Sequence, residues 1–439
     1  MLDLELSTSF LFCILSLLFL FIINSKSIFT TFFPSTSKSS KIPRSYPFIG
    51  SFLAFHSNRQ RVIQWTSDAV TSTPTSTFVL NRPLGRCQVI TVNPSNVQHI
   101  LKTHSISTKR PLSFEHMSQT YSAMVSLMTT VRTGSSRDKL LAMNSTPNLY
   151  VNLSRPLPSF ELLLIPFLSS ATANKTVLDL QDILQRFAFD NICKIAFGYD
   201  LAYLLPSLPQ EKFTVAFDTA ARISEERFRA FHPLFWKTKR FLDIGSEKQL
   251  RISANEVREF AKEIVKEKKQ ELAASFEKVK DMIYTHASLS ESMRLYPPVP
   301  VDGKQAVDDD VLLDGMVIKK GMRVSYHPYA MGRSEKLWGS NWAEFRPERW
   351  LEMRAAAAGK WSFVARDPYT YPVFQAGPRI CLEKDMAFLQ MKRVVSGVLR
   401  RFKVVPAFEE GVKPVFMAHL TSKMKGGFPV RIEERAESF

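Results

Sequence analysis

The sequence predicts a mainly helical protein with small β-sheets, and three observations lead to that fold class. Apolar residues recur at helical spacing through long stretches, among them 180–198 and 247–272. Strand-like runs are short, and the Asp314–Gly315 pair between two of them predicts a hairpin. We find no internal repeat, and 439 residues are enough to bury a large core in one domain or two.

The first predicted elements are a strand, an Asn93–Pro94 turn and a helix within "CQVITVNPSNVQHILKTH". Further along, a buried helix face is predicted, and the helix should end near Gly198. The residues of that face are Leu180, Ile183, Leu184, Phe187 and Ile195. Cys193 lies in this helix, where packing is the simplest role for a small apolar thiol.

Three more helices are predicted in the second half of the chain. The stretch 247–272 has one apolar stripe and a charged remainder, which indicates a long surface helix. The segment "DMIYTHASLSESMRLYPPVP" should be helical as far as Pro297. A last helix follows Cys381, with one apolar face formed by Met386, Leu389, Val394 and Val398.

The N-terminus carries a long apolar run, "LSTSFLFCILSLLFLFII", from Leu6 to Ile23. It has no charged residue, and as a helix it would span roughly 27 Å, close to a hydrocarbon core of about 30 Å. Acidic residues precede it, whereas a secretory signal would begin with basic ones. We therefore predict a single uncleaved membrane anchor. Basic residues follow it, so the bulk of the chain should lie in the cytosol.

The chain is accordingly divided into three regions. Residues 1–23 form the anchor, 24–45 a Ser/Thr/Lys-rich linker that runs into a proline-containing hinge, and 46–439 the folded domain. The formal charge of +17 suits anionic lipid or an acidic protein partner equally well. Basic residues are spread along the chain and no base-reading motif is present, so we expect no nucleic-acid partner.

Four scattered cysteines suggest neither a disulfide framework nor a zinc site. One of them, Cys381 in "FQAGPRICLEKD", follows a turn and precedes a helix, where the helix dipole and free N–H groups favour a thiolate. Gly377 and Pro378 predict a tight turn, and Arg379 offers a planar cation suited to a carboxylate. No Cys/His signature of a nucleophile accompanies Cys381. A thiolate beside an arginine that can hold a propionate therefore suggests haem iron.

Three motifs resemble those of a known family, the haem-thiolate monooxygenases (cytochromes P-450). "FQAGPRIC" is similar to the family's cysteine loop, "ESMR" to its Glu-x-x-Arg helix, and "FRPERW" to the segment that supplies a partner arginine. The resemblance implies the fold of that family, with Cys381 as catalytic residue and axial ligand of haem b. It also implies that Arg379, Phe374 and Gly377 bind the cofactor.

The resemblance further implies a charge network that braces the cysteine loop from beneath. Glu291 and Arg294 are three positions apart and so share a helix face, and Arg349 should reach Glu291. An ordinary surface ion pair is the alternative interpretation. His286, one turn earlier, is expected to be a packing residue.

Within the family, "ESMRLYPPVPVD", "YHPYAMGR" and "YPVFQAGPRICL" resemble the plant branch that oxidises fatty acids at the terminal carbon. Related members oxidise the jasmonate–isoleucine conjugate, so the substrate stays open between the two. The resemblance implies electrons from NADPH through a flavoprotein reductase. It also implies anchorage in the endoplasmic reticulum membrane.

The chain departs from the family pattern in three places. The Gly-x-Asp/Glu-Thr segment of the central helix is missing, which predicts an internal loss near residues 274/275. The segment expected to hold a second propionate has Ser136 in place of Trp, leaving only Arg137. Glu383 stands where the family usually has glycine beside the porphyrin. The alternative function is therefore a catalytically impaired relative that binds haem weakly or not at all. A membrane-tethered nucleic-acid binder is the least favoured interpretation.

Overall fold

The structure is a computed structural model, and it describes residues 42–83, 85–102, 160–197, 212–229, 233–267, 282–354, 360–381, 383–409, 414–417 and 421–435. Contacts between Cα atoms divide the chain into two units, Met1–Ile42 and Pro43–Phe439. All described residues except Ile42 belong to the second unit.

Helices dominate the described part of the chain. They are α1 (Phe52–Ser57), α2 (Val62–Thr71), α3 (Pro94–Lys102), α4 (Ile165–Ala173), α5 (Leu180–Phe197), α6 (Lys212–Arg229), α7 (Pro233–Phe241), α8 (Gly245–Glu267), α9 (Ile283–Leu295), α10 (Pro328–Met331), α11 (Glu335–Trp338) and α12 (Lys384–Arg401). A π-helical turn, Phe160–Leu164, leads into α4. Short 3-10 turns cover Pro347–Trp350, Pro372–Phe374 and Gly377–Arg379.

The strands are short and form several small sheets, as predicted. They are β1 (Thr77–Asn81), β2 (Cys87–Thr91), β3 (Leu178–Asp179), β4 (Asp302–Gln305), β5 (Asp310–Val311), β6 (Val317–Ile318), β7 (Arg323–Tyr326), β8 (Leu351–Arg354), β9 (Lys360–Phe363), β10 (Phe402–Pro406), β11 (Phe416–Met417), β12 (Lys423–Met424) and β13 (Pro429–Glu434). The largest sheet has the order β1-β2-β7-β4, in which only the β2–β7 pair is parallel.

One hydrophobic core lies between this sheet and helices α2 and α3. Buried residues of the strands, such as Ile90 and Val324, pack with Val97 and Leu101 of α3. Ala376, in the predicted cysteine loop, belongs to the same cluster. The loop is thus attached to the core of the sheet, which restricts the movement of the residues that follow it.

A second core holds the far end of α12. Val398 and Phe402 pack against Phe160 and Leu164 of the π-helical turn. They also pack against the apolar face of β13. Gly397 lies so close to the Phe160 ring that a Cβ atom would approach within 2.3 Å. The helix after Cys381 is therefore clamped at its C-terminal half by a cluster separate from the sheet.

Most predicted elements are confirmed. The strand–turn–helix is β2 and α3, the 180–198 helix is α5 with Ile183 and Phe187 buried, and the "ESMR" helix is α9. The hairpin at Asp314–Gly315 is the β5–β6 pair, with Gly315 at a φ of +85°. The surface helix runs from Gly245 to Glu267, and its predicted continuation lies outside the described residues.

The predicted face of the last helix needs correction. Val398 is buried as expected, but Met386, Leu389 and Val394 are only half-buried. Phe388 is buried instead, because its ring packs against rings from α9 and from the cysteine loop.

The predicted anchor, Leu6–Ile23, lies outside the described residues and stays a prediction. Among the described ranges, every helix is too short or too polar to cross a membrane. The segment with Ser136 and Arg137 and the junction at 274/275 also lie outside the described part.

Candidate active site

The cysteine loop is held by its own backbone. The amide of Cys381 donates to the carbonyl of Phe374 at 2.8 Å, and the amide of Ile380 donates to the carbonyl of Gly377 at 3.1 Å. These two bonds close a compact turn over the 3-10 residues Gly377–Arg379. The Cys381 thiol is free and half-buried at the end of this turn. The turn predicted from Gly377 and Pro378 is confirmed.

Gly377 occupies a position that no other residue fits without strain. Its φ is +65°, in the left-handed region, and a Cβ atom would lie 2.7 Å from the carbonyl oxygen of Leu101 in α3. The loop thus approaches the end of α3 more closely than a side chain allows. This contact sets the distance between the turn and the core beside the large sheet.

Aromatic packing supports the loop from the side of α12. The Phe374 ring lies 5.4 Å from Phe388, and Phe388 stacks on His286 with centroids 4.0 Å apart. His286 also contacts Phe363 at 4.2 Å, so it packs between two rings. Burial, with Lys392 and Lys384 nearby, lowers the pKa of His286 to about 4. The prediction that His286 is a packing residue is confirmed.

The electrostatics of Cys381 differ from the expectation. The predicted thiolate-favouring position is wrong for the free thiol, because burial raises the pKa of Cys381. The backbone N–H of Glu383 bonds to the sulfur and opposes this effect, while the Glu383 carboxylate adds to it. Helix α12 begins only at Lys384, so the sulfur is farther from the helix end than the sequence predicts. A bound cation is what would convert this thiol to a thiolate.

Arg379 lies in the 3-10 turn two residues before Cys381. Its side chain lies outside the described part, so its predicted contact with a propionate stays a prediction. Glu383 is exposed and caps α12 with a φ of −97°, a conformation that does not require glycine. The objection to glutamate at this position therefore concerns a neighbouring cofactor and not the backbone.

The predicted charge network is present and buried. Glu291 and Arg294 in α9 are both fully buried, and they form two hydrogen bonds of 2.8 Å with each other. Arg349 adds a bond of 3.2 Å from its Nε to Oε1 of Glu291. Burial alone would raise the pKa of Glu291. The bonds from Arg294, the Arg346 amide and the Trp350 indole outweigh burial and lower it.

The arginines of this network also bind carbonyl groups. Arg294 donates to the carbonyls of Gly332 and Glu344, and Arg349 donates to those of Trp338 and Asn341. The network therefore ties α9 to the long connection that follows α10. The alternative of an ordinary surface ion pair is wrong.

Tyr371 connects the network to the cysteine loop. Its ring packs edge-on against Trp350 at 4.7 Å, and its hydroxyl donates to the carbonyl of Ser290 at 3.0 Å. Burial raises the pKa of Tyr371, and the charge of Glu291 raises it further. Tyr371 precedes the 3-10 turn Pro372–Phe374, so the network abuts the segment that enters the loop.

Two buried contacts were missed by sequence reasoning, and the first involves the cysteine loop. Gln375 donates from its side chain to Oδ2 of Asp302, at 2.8 Å. Both residues stand inside the quoted motifs, but they are 73 positions apart and no periodic pattern links them. His327 was also missed: it is fully buried, and its Nδ1 accepts from the Ala330 amide to cap α10.

The donor set fits a haem better than a bare metal ion. In the ranges that the structure describes, no group of three His, Cys, Asp or Glu side chains is placed to hold a metal. Cys381 is thus a solitary ligand from the protein, which would suit an iron that takes its other ligands from a porphyrin. The residues present on this cysteine side fit the group.

Comparison with known proteins settles the family. The model for cytochrome P450 matches residues 41–278 and 273–428. The chain belongs to the cytochrome P450 family. It is 44% identical to cytochrome P450 94A2 of Vicia sativa, over 92% of this chain and 93% of that protein. It is 35% identical to cytochrome P450 94B3 of Arabidopsis thaliana, over 95% of this chain and 98% of that protein.

Solved structures agree on the fold. The crystal structure of the cytochrome P450DA haem domain superposes with a TM-score of 0.65 at 15% identity, covering 90% of this chain and 97% of that one. The predicted P450 fold and plant branch are confirmed. The chain is a haem-thiolate monooxygenase by family, with a reductase as electron donor and a small molecule as substrate.

Proposed function

We propose that this P450 hydroxylates the terminal carbon of a fatty acid or of a fatty-acid derivative such as jasmonoyl-isoleucine. The proposal is supported by the plant relatives and by the motifs that resemble the fatty-acid-oxidising branch. O2 is the co-substrate, and electrons come from NADPH through a flavoprotein reductase. The observation that carries the haem-thiolate part of the proposal is the built cysteine loop, which presents one half-buried free thiol next to a turn that glycine forms without strain.

In this proposal Cys381 is the axial ligand of haem b. When bound, the haem iron supplies the chemistry of O–O cleavage, which an axial thiolate favours. The chain holds the sulfur in place through the Cys381–Phe374 backbone bond and the Glu383 amide. Phe374 and Gly377 shape the surface next to the ring, and Arg379 binds a propionate.

The ligand assignment is tested by spectroscopy. The carbon monoxide adduct of the reduced protein should show the long-wavelength band of a thiolate-bound haem, and Cys381→Ala should abolish it. Cys87→Ala and Cys193→Ala are matched controls and should retain it, since Cys87 lies in β2 beside Asn81 and Cys193 in α5. An unchanged spectrum in Cys381→Ala would overturn the assignment.

A second candidate is a catalytically impaired relative that has lost a central segment near residues 274/275. The family model matches in two segments that meet at residues 273–278, which supports an internal loss. The alignment to the 94A2 relative also runs over 479 positions, more than the 439 residues of this chain. A chain without the central helix lacks a positioned proton donor. General acid–base positioning is worth about 10²–10⁴ in rate.

The two candidates are separated by restoring the segment. This chain and a version with a central helix inserted after Ala274 are each supplied with reductase, NADPH and a C12–C18 fatty acid. Impairment predicts that only the restored version hydroxylates, while this chain releases hydrogen peroxide. Equal hydroxylation by both would show that the segment is dispensable.

We further propose that the reductase docks on the basic side of α12. The exposed basic residues of this helix lie at its C-terminal end, Arg400 and Arg401, and Lys384 at its start is half-buried. Arg400→Glu should slow electron transfer from the reductase most strongly at low salt, because exposed charges steer association. Lys319→Glu, at an exposed charge directly after β6, is the control and should leave the rate unchanged.

We also propose attachment to the endoplasmic reticulum membrane through Leu6–Ile23. Exposed apolar residues around α7 support contact with lipid: Leu234, Phe235, Phe241, Leu242 and Ile244 are at least half exposed, beside Lys237 and Lys239. The double variant Leu17→Lys, Leu20→Lys places charge inside the apolar run, which is costly in hydrocarbon. The unaltered chain should resist extraction at alkaline pH and the variant should not. Equal extraction of both would refute the anchor.

A further inference from the structure

The cysteine loop contains a strained residue that neither motif nor family role explains. Gln375 has a φ of +59° and a ψ of −170°, a backbone conformation almost confined to glycine. It directly follows Phe374, whose carbonyl accepts the Cys381 amide. A strained residue at this position persists only if its surroundings hold it there. The contacts of the Gln375 side chain are what can hold the residue in this conformation.

The Gln375 side chain is held by one carboxylate on the neighbouring sheet. Its Nε2 donates to Oδ2 of Asp302 at 2.8 Å. The same oxygen accepts from the Tyr326 hydroxyl at 2.7 Å, and Oδ1 accepts from the Gly303 amide at 2.7 Å. Asp302 and Tyr326 are paired across β4 and β7. The carboxylate is therefore fixed in the sheet before it reaches the loop.

A positive charge interacts with this carboxylate within the sheet. Arg323 lies on β7 in the same sheet, and burial with the charge of Arg82 lowers its pKa to about 9. The negative charge of Asp302 raises the pKa of Arg323 and so partly offsets this effect. A hydrogen bond from an amide to an ionised carboxylate is stronger than a neutral one. The hydrogen bond from Gln375 to Asp302 is thus a charge-assisted one.

We propose that Asp302 is a positioning residue for the cysteine loop, acting through Gln375. Its carboxylate holds Gln375 in the strained conformation, which places the Phe374 carbonyl where the Cys381 amide bonds to it. Asp302 does not touch the sulfur. Its effect on the reaction passes through the backbone between Phe374 and Cys381. The spectroscopic consequence of this inference rests on the proposed role of Cys381, while the backbone consequence does not.

The inference is tested by hydrogen exchange of the Cys381 amide in the full chain. Asp302→Ala should raise the exchange rate by about tenfold to a hundredfold, the effect of losing one charged hydrogen bond. Tyr326→Phe removes a bond to the same carboxylate oxygen but leaves the Gly303 amide to hold the carboxylate, so it should raise the rate much less than Asp302→Ala does. Asp302→Asn gives the same comparison with a smaller effect where Asp302→Ala does not fold.

A double-mutant comparison separates positioning from general loosening. Glycine adopts the Gln375 conformation without strain, so in a Gln375→Gly background the loop no longer needs the carboxylate. Adding Asp302→Ala to Gln375→Gly should change the exchange rate little. Equal increases in both backgrounds, or no increase in either, would overturn the inference.

A spectroscopic readout distinguishes this inference from the function on which it rests. If Cys381 binds the haem iron, Asp302→Ala should also lower the fraction of thiolate-type signal in the carbon monoxide spectrum. An exchange effect with no thiolate signal in any variant would refute the ligand assignment and leave the positioning role standing. An unchanged exchange rate in Asp302→Ala, together with a strong thiolate signal, would refute the positioning role and leave the ligand assignment standing.

Discussion

The indole nitrogen of Trp350 donates to Oε2 of Glu291 at 3.0 Å, deep in the domain where the carboxylate has no contact with solvent. A neutral donor thus shares this carboxylate with two arginines. The distribution of these bonds is uneven: Arg294 makes two and Arg349 one. The two arginines should therefore differ in their contribution to stability.

Arg294→Ala should cost about 3–5 kcal/mol in the free energy of unfolding, because it leaves Glu291 as a buried charge without its main partner. Arg349→Ala should cost less, about 1–3 kcal/mol, because Glu291 keeps Arg294 and Trp350. Denaturant unfolding of the two variants measures the difference.

Arg222 provides the control for these arginines. It bonds to Glu226 one turn away at 2.6 Å, and both side chains are about half exposed. Arg222→Ala should change the free energy of unfolding by about 0.5 kcal/mol or less. Equal losses for Arg294→Ala and Arg349→Ala would contradict the uneven distribution.

His286→Phe should reduce the loss of stability in mild acid. Because burial lowers the pKa of His286 to about 4, the unfolded chain takes up its proton first as the pH falls. The contribution of neutral His286 to the free energy of unfolding is fully present above pH of about 6.5, the ordinary pKa of histidine. It is lost progressively as the pH falls towards 4. Phenylalanine keeps the stack on Phe388 and does not titrate.

Unfolding curves at several pH values check this prediction. At pH 7 the variant should lie within about 1.5 kcal/mol of the unaltered chain, since the ring volume is nearly conserved. Between pH 7 and pH 5 it should lose less stability. His56→Phe, at an exposed histidine beside Arg59, is the control. Parallel pH profiles for His286→Phe and the unaltered chain would be the contrary result.

Sequence reasoning predicted those parts of the site that depend on local spacing. Glu291 and Arg294 face each other because three positions separate them on one helix, and Gly377 is required by a turn that the sequence itself displays. The helices around them follow from apolar periodicity. These features need no knowledge of distant residues.

The parts that were missed depend on distant contacts. Phe388 is buried because His286 and Phe374 lie against it. Burial lowers the pKa of His327 to about 3, and no local pattern shows that burial. The pKa of Cys381 was predicted in the wrong direction because the sequence shows a helix start but not the amount of burial. Long-range packing decided each of these cases.

Glu383→Gly should increase the fraction of chains that retain haem. The variant keeps the backbone amide that bonds to the Cys381 sulfur, and it removes a carboxylate whose charge opposes a negative sulfur. Glu383 is exposed, and two unit charges about 4 Å apart in water interact by about 1 kcal/mol, so retention should improve by about fivefold. The haem-to-protein ratio of the purified chain measures it.

Glu383→Gln separates charge from bulk in this prediction. If charge is the cause, the amide variant should give most of the gain, and if bulk is the cause, only glycine should. Glycine at this helix-cap position costs a few tenths of a kcal/mol, so loss of the fold does not confuse the comparison. An unchanged haem content in both variants would show that Glu383 is harmless.

Gly377→Ala should damage the cysteine loop more than an equivalent change elsewhere. An alanine at a φ of +65° costs about 1–2 kcal/mol from its own backbone. Its Cβ would also lie 2.7 Å from the Leu101 carbonyl oxygen, a backbone atom that cannot rotate away. This overpacking should add about 1–3 kcal/mol.

Gly426→Ala is the matched control, because Gly426 has a φ of +81° and no atom within 4 Å of its virtual Cβ. It should lose only the conformational part, about 1–2 kcal/mol, and it should retain haem as the unaltered chain does. Gly377→Ala should lose more stability and, in addition, haem. That pairing is specific: a general loss of stability would lower both variants alike, whereas a displaced turn would move the Cys381 backbone and affect only the first. Thermal unfolding and the haem-to-protein ratio, measured on both variants, decide between these outcomes. Equal losses in the two variants would show that the loop moves away from Leu101 without cost.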